Sequence, residues 1–235
     1  MNVVASLEEL FFVVESQLQG KSSVMDDHIQ IFDTQCIALA DGTGILPYGD
    51  VASAFACDTA IWCYKHVRLR PYYWEDKIKL LGRIFRTTNL SLWQKRKERM
   101  YADGLASTLC VALLGIRNIW IAGVGSSRSY LIREGVIVEL IPPENQQSRI
   151  VPMVLGCVRS GIVPRFVTEK IISGDVVLLC SDGVSDFVTE DDLRMTYEIV
   201  GDTLESCQKA VRSLLELAKD RGSTENETVC LIKKR

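Results

Sequence analysis

Val176-Val177-Leu178-Leu179-Cys180-Ser181-Asp182-Gly183-Val184-Ser185-Asp186 is a buried-type apolar run that drives straight into an acidic turn. Such a run, bounded by turn formers, reads as an interior strand, and its end holds the side chain of Asp182 rigidly at a sheet edge, where a metal could sit. Cys36-Ile37-Ala38-Leu39-Ala40-Asp41-Gly42-Thr43-Gly44 repeats the design around Asp41. Two strands that each end in Asp-Gly point to one shared site. The glycine removes a side chain and permits unusual backbone angles, so its carbonyl is free to approach a cation, and hard divalent cations take such oxygen donors. Asp-Gly is also a common hairpin turn, and a third copy, Asp103-Gly104, follows the polar stretch Lys95 to Arg99. The matching apolar lead-ins set Asp41 and Asp182 apart from it.

The chain of 235 residues is 47% apolar and 24% charged, the composition of an ordinary globular protein with one large domain, 1–235. Its 27 basic and 30 acidic residues leave a net charge of −3, so no sequence-wide basic field attracts nucleic acid. The cluster Lys95-Arg96-Lys97-Glu98-Arg99 reads as a solvated helix face. Eight cysteines at 36, 57, 63, 110, 157, 180, 207 and 230 form no Cys-x-x-Cys pair and are expected to be free, buried thiols. The N-terminus lacks a basic leader, no apolar run approaches membrane-spanning length, and the expected compartment is the cytoplasm. With only His28 and His66, imidazole-based zinc sites and a Ser/His/Asp triad are disfavoured; a metal here must be held mainly by oxygen. His66 reads as a surface residue, and a strand-surface role is preferred for His28.

Residues 6–18 read either as a capped helix or as a strand over Phe11 to Gln17, the strand being preferred. Strands are expected at His28 to Phe32 and Cys36 to Ala40, joined by Asp33-Thr34-Gln35. A helix from about Gly49 to Val67 places Val51, Ala54, Phe55, Asp58, Ile61 and Trp62 near one face; a second, from Trp74 to about Lys97, places Ile78, Leu81, Ile84, Phe85, Leu92 and Trp93 likewise. Ser107 to Leu114, Asn118 to Gly125, Ser129 to Arg133 and Val136 to Leu140 look like an antiparallel meander. Ile141 to Val151 reads as a surface loop near the site, Val176 to Cys180 as a return to the sheet, Asp191 to Tyr197 and Thr203 to Lys219 as helices, and Thr228 to Lys233 as a last strand. This order describes a layered α+β domain.

The acid Glu225, in the turn before that last strand, completes a set of motifs whose order resembles the metal-dependent PPM (PP2C-like) protein serine/threonine phosphatases over nearly the whole chain. The motifs are Met25-Asp26-Asp27, Ala40-Asp41-Gly42-Thr43-Gly44, Gly104-Leu105-Ala106-Ser107-Thr108, Ala122-Gly123-Val124-Gly125-Ser126-Ser127-Arg128, Leu155-Gly156, Gly174-Asp175 through Asp182-Gly183, and Glu225-Asn226. The resemblance implies a central antiparallel β-sandwich flanked by helices, four layers in all, with two Mn²⁺ or Mg²⁺ ions at one end. Asp41 would bridge the ions, the Gly42 carbonyl would bind one, Asp182 and Glu225 would hold the other, and Asp27 would act through a metal-held water. The implied activity is hydrolysis of phosphoserine and phosphothreonine in phosphoprotein substrates. Three positions depart from the family. Ser126 replaces an Asp used for an accessory third ion, Glu225 replaces an Asp, and Ser22, with Lys21 beside it, stands where many members place an arginine that grips phosphate bidentately. These departures keep a second reading open, a PP2C-like binding or regulatory module of weak or no activity. A third reading, a phosphatase for small metabolites, stays open too, and so does the oligomeric state.

Overall fold

A computed structural model of the chain describes residues 7–42, 46–102, 104–143 and 154–235; Thr43, Gly44, Asp103 and most of the loop read over 141–151 lie outside them. The strands are β1 (Phe11–Leu18), β2 (Asp27–Phe32), β3 (Cys36–Asp41), β4 (Leu109–Leu114), β5 (Asn118–Val124), β6 (Arg128–Arg133), β7 (Val136–Ile141), β8 (Arg165–Lys170), β9 (Val176–Cys180) and β10 (Glu227–Lys234). They form two five-stranded antiparallel sheets, β1-β10-β9-β6-β7 and β2-β3-β4-β5-β8. The helices are α1 (Leu7–Leu10), α2 (Gly49–Val67), α3 (Pro71–Trp74), α4 (Lys77–Lys95), α5 (Asp182–Ser185), α6 (Glu190–Ile199) and α7 (Leu204–Asp220).

Strand alternation sorts the core into three layers. In β3, Ile37 and Leu39 face the other sheet and meet Val177, Leu179, Cys230 and Ile232, while Cys36, Ala38 and Ala40 face outward and pack under α2 and α4. On the opposite side, Leu178, Cys180, Val229 and Leu231 lie under α7, against Val211 and Leu214. Both faces of the central strands are therefore covered, which is why β3 and β9 read as unbroken apolar runs. The α/β/β/α sandwich expected from the sequence is the fold of the chain.

Several local expectations change. The buried stripe of α2 is Ala52, Ala56, Cys57, Ala60, Cys63, Tyr64 and Val67, so Asp58 and Trp62 face solvent and Val51, Ala54 and Phe55 are only half-buried; Ile61 alone of the expected face is fully buried. Small residues lie against the sheet because they allow the helix backbone a close approach. The helix expected from Trp74 is broken at residues 75–76, where the Asp76 side chain accepts from Lys79 N at 3.0 Å and starts α4 afresh. The meander is split: β4–β5 belongs to one sheet and β6–β7 to the other, and the chain crosses between sheets at Gly125-Ser126-Ser127. Strand β8, an edge strand exposed or half-exposed along its length, carries no apolar run to announce it. The turn Asp33-Thr34 between β2 and β3 has φ of 46° and 52°, the two positive values of a type I′ hairpin.

Candidate active site

Four chain segments end at the same edge of the sandwich. Asp27 opens β2 and pairs directly with Asp41, which closes β3. In the other sheet, β9 runs out through Ser181 into Asp182, the first residue of α5, and Glu225 lies just before β10. The sheets are joined here by Thr228, whose hydroxyl donates to Asp27 Oδ2 at 2.7 Å and accepts from Gln17 Nε2 at 3.1 Å.

The backbone around each acid is pinned. Asp41 O accepts from Thr108 N at 2.8 Å and from Ser107 Oγ at 3.0 Å, while Asp41 N donates to Thr108 Oγ1 at 2.9 Å. Gly42 N donates to Asp26 O at 3.0 Å. Ser181 N donates to Thr228 O, and Thr228 N to Ser181 Oγ, which fixes the start of α5 against β10. Glu225 is held through its neighbours: Gly20 N donates to Asn226 Oδ1 at 3.0 Å, Asn226 Nδ2 to Val24 O at 3.1 Å, and Lys21 N to Thr224 O at 2.9 Å.

Of the two reasons expected for the glycines of the Asp-Gly motifs, the structure uses the absent side chain and not the unusual backbone angle. Neither Gly42 nor Gly183 has positive φ. Each is needed because another backbone occupies the space of a side chain: a Cβ at Gly42 would lie 2.1 Å from Gly49 O, and one at Gly183 would lie 2.2 Å from Asn226 O. Gly20 likewise abuts Glu225, 2.3 Å from its carbonyl oxygen to an added Cβ.

The carboxylates repel one another. Burial and then the neighbouring charges of Asp27, Asp182 and Glu225 push Asp41 well above the ordinary carboxylate range. Asp27, 3% exposed, is pushed up by burial and by Asp182, against the hydrogen bonds from Thr228 and Ser181. Glu225 is raised by burial and then by Asp182 and Asp186. Asp27, Asp41 and Asp182 thus share one electrostatic centre, and Glu225 adjoins it beside Asp182. Among the described residues no group of three or more His, Cys, Asp or Glu side chains is gathered closely enough to hold a metal ion as it stands; the acids are spread along this rim of the sandwich. Every donor on that rim, the Gly42 carbonyl included, is oxygen, the donor chemistry of Mg²⁺ and Mn²⁺.

Ser126 lies in the β5–β6 crossing at the same end, next to Ser127, whose hydroxyl is 3.3 Å from Thr108 Oγ1. Arg128 reaches across to Asp186 at 2.6 Å. Thr228, Ser181 and Asp186 were given no role from sequence; a hydroxyl residue at the mouth of a strand opposite an acid is the signal that finds the first. His28 sits in β2 opposite Ala40, and His66 is exposed, stacked on Trp62 with ring centroids 4.3 Å apart. All eight cysteines are free, seven of them buried.

The protein phosphatase 2C family model matches residues 18–231. The serine/threonine phosphatase stp of Listeria monocytogenes is 26% identical over 226 residues, 84% of each chain. PstP of Mycobacterium tuberculosis is 27% identical over 210 residues, 82% of this chain and 39% of its own, so this chain spans well under half of that relative. Among solved structures, the catalytic domain of PstP in complex with two manganese ions superimposes with a TM-score of 0.79 at 20% identity, covering 95% of this chain and 98% of that one. Staphylococcus aureus Stp1 does so at 0.81 and 22%, covering 95% and 94%. These structural likenesses establish a shared sandwich, and with a family match that extends from the end of β1 into β10, the chain belongs to the protein phosphatase 2C family.

Proposed function

We propose that the chain is one catalytic domain, 1–235, that hydrolyses phosphoserine and phosphothreonine esters in proteins. The observation that carries this reading is the pairing of Asp27 against Asp41 across β2 and β3, tied by the Thr228 hydroxyl to the sheet whose β9 runs into Asp182 and whose β10 follows Glu225, in a chain of this family. Carboxylates crowded together are stabilised by cations, and the all-oxygen rim fits hard divalent ones. Two Mn²⁺ or Mg²⁺ ions, held by Asp41, the Gly42 carbonyl, Asp182 and Glu225, would supply Lewis acidity that makes water nucleophilic and offsets charge on the phosphoryl oxygens. The manganese of the PstP structure supports that choice.

The chain's own groups have separate tasks. Thr228 Oγ1 orients the Asp27 carboxylate through its 2.7 Å bond. Thr108 and Ser107 hold the Asp41 backbone at both its N–H and its carbonyl, so the carboxylate is aimed without reorganisation when substrate binds. Lys21, whose backbone N–H donates to Thr224 O beside Glu225, would offer a cation to the substrate phosphate. Seven buried free thiols suit a reducing, cytoplasmic compartment.

Hydrolysis of an aryl phosphate and a phosphothreonine peptide, each with and without Mn²⁺, tests this. Metal-dependent turnover is expected, lost in Asp182→Asn with the fold intact; wild-type turnover in that variant would remove Asp182 from the ligand set. Ser126 favours a second reading, a weak or inactive regulatory module, and calorimetric Mn²⁺ binding without any turnover would select it.

A further inference from the structure

We propose that a groove between α4 and residues 158–166 docks an extended acidic segment carrying an apolar side chain, supplied by the protein that brings the phosphoryl group. It rests on the reading above only for the owner of that segment. The groove has a volume of about 580 Å³, with Phe85, Leu90, Ile162, Val163 and Phe166 in its apolar lining and Arg86 and Arg159 among its polar residues. A cavity of this size with an apolar bed and few charged groups is typical of a binding cleft. Val163 is 65% exposed and Phe166 40%, so the bed is open to a partner.

The wall is built, not loose. Asn89, buried in α4, donates through Nδ2 to Val158 O at 2.9 Å and Arg159 O at 3.2 Å, and its Oδ1 accepts from Gly156 N at 3.0 Å. One residue earlier, Leu155 exchanges two backbone hydrogen bonds with Ser107, the residue whose hydroxyl holds Asp41 O. The wall is therefore continuous in sequence with the bridge at Ser107 that holds Asp41 O.

Charge selects the occupant. Residues 65–99 hold 11 Lys and Arg against 3 Asp and Glu, leaving 16 basic against 27 acidic in the rest of the chain. Lys79, Arg83 and Arg86 lie exposed on α4, and among the described residues neither Arg86 nor Arg159 pairs with a carboxylate. An acidic segment is repelled by most of the molecule and attracted here, which gives register and encounter rate.

The probe is a fluorescein-labelled, unphosphorylated peptide alternating Asp or Glu with Leu and Phe, with a second peptide carrying Lys at each acidic position. Anisotropy should show binding of the acidic peptide alone, weakened about tenfold or more in the double variant Arg86→Glu, Arg159→Glu and largely kept with Lys at both positions. Arg86→Ala and Arg159→Ala, with melting curves, guard against misfolding. Aryl phosphate turnover should be unchanged in the double variant, while a phosphothreonine peptide fused to the acidic segment should lose through KM and not kcat. Binding indifferent to all these substitutions overturns the proposal. So does an outcome in which phosphatidylserine vesicles, and not the acidic peptide, bind through the two arginines. If no variant or wild type turns over any ester while peptide binding still tracks Arg86 and Arg159, the catalytic reading fails and the groove stands.

Discussion

Replacing Gly42 with alanine tests whether the first Asp-Gly motif exists for packing. The new methyl would lie 2.1 Å from Gly49 O and 2.4 Å from Gly49 Cα, against an optimum of about 3.5–4 Å for non-bonded contact. Relief requires an opening of roughly 1.4 Å or more between two backbones, since no flexible side chain is there to give way. Gly49 cannot retreat freely because it begins α2 and itself abuts Asp26, with an added Cβ only 2.9 Å from Asp26 Oδ1. Overpacking of this kind costs about 3 kcal/mol, the upper part of the usual range, which for a chain of this size lowers Tm by about 6–12 °C. Gly82→Ala is the matched control. Its Cβ would meet only Phe166 Cζ at 4.0 Å, so the mid-helix substitution should stabilise α4 by about 0.5–1 kcal/mol and raise Tm by about 1–4 °C. Calorimetric or circular-dichroism melts of the three proteins decide the matter. A Gly42→Ala variant that melts with the wild type would refute the packing argument and return the glycine to a purely conformational role.

Asp192 is buried and accepts from both terminal guanidinium nitrogens of Arg221, Nη1 and Nη2, and from Thr189. Burial alone would raise its carboxyl, but these hydrogen bonds more than offset that and lower it from 3.8 to about 2. A depressed carboxyl stabilises above its unfolded value and loses that stability as pH falls from about 4 through about 2. Asp192→Asn should therefore unfold at lower urea than wild type at pH 7, with the gap narrowing at pH 3; a constant gap would contradict the assignment. Of the eight thiols only Cys157 is not buried, so a thiol reagent should label it first in native protein and all eight after denaturation, and intact mass without reductant should show no bridge. Ser126→Asp adds a carboxylate at the β5–β6 crossing, where serine is a weak ligand for a hard cation; Mn²⁺ titration should show an additional or tighter binding event and turnover at lower metal. Coincident titration curves in an active enzyme would show that Ser126 does not limit the site.

What the sequence makes legible follows from which physical signals are local. Apolar runs such as 36–40 and 176–180 need no partner to be read as buried strands, and both are. The inward face of α2 is not local: the scale that ranks Trp62 and Phe55 as core candidates measures transfer from water, whereas the sheet beneath selects Ala52, Ala56 and Ala60 for closeness. Strand β8 borrows its conformation from β5, to which residues 165–170 pair in unbroken register, and a half-exposed edge strand has no apolar pattern of its own to display. The meander fails as a single sheet for a similar reason, because nothing in Gly125-Ser126-Ser127 distinguishes a hairpin from a crossing between sheets. The site shows the same division. Asp41 and Asp182 are visible because a strand precedes each, but their proximity depends on β2 pairing Asp27 against Asp41 and on Thr228 bonding Asp27 from the other sheet. Of the two properties that mark Gly42 and Gly183 in the sequence, backbone freedom and the absent side chain, the second is the one the structure uses: each lets a second segment, Gly49 or Asn226, press against the acid's own turn. A glycine beside a catalytic-type acid can thus be found from sequence while its cause remains tertiary, and the two causes predict opposite outcomes for D-alanine, which suits positive φ but not a crowded negative-φ site.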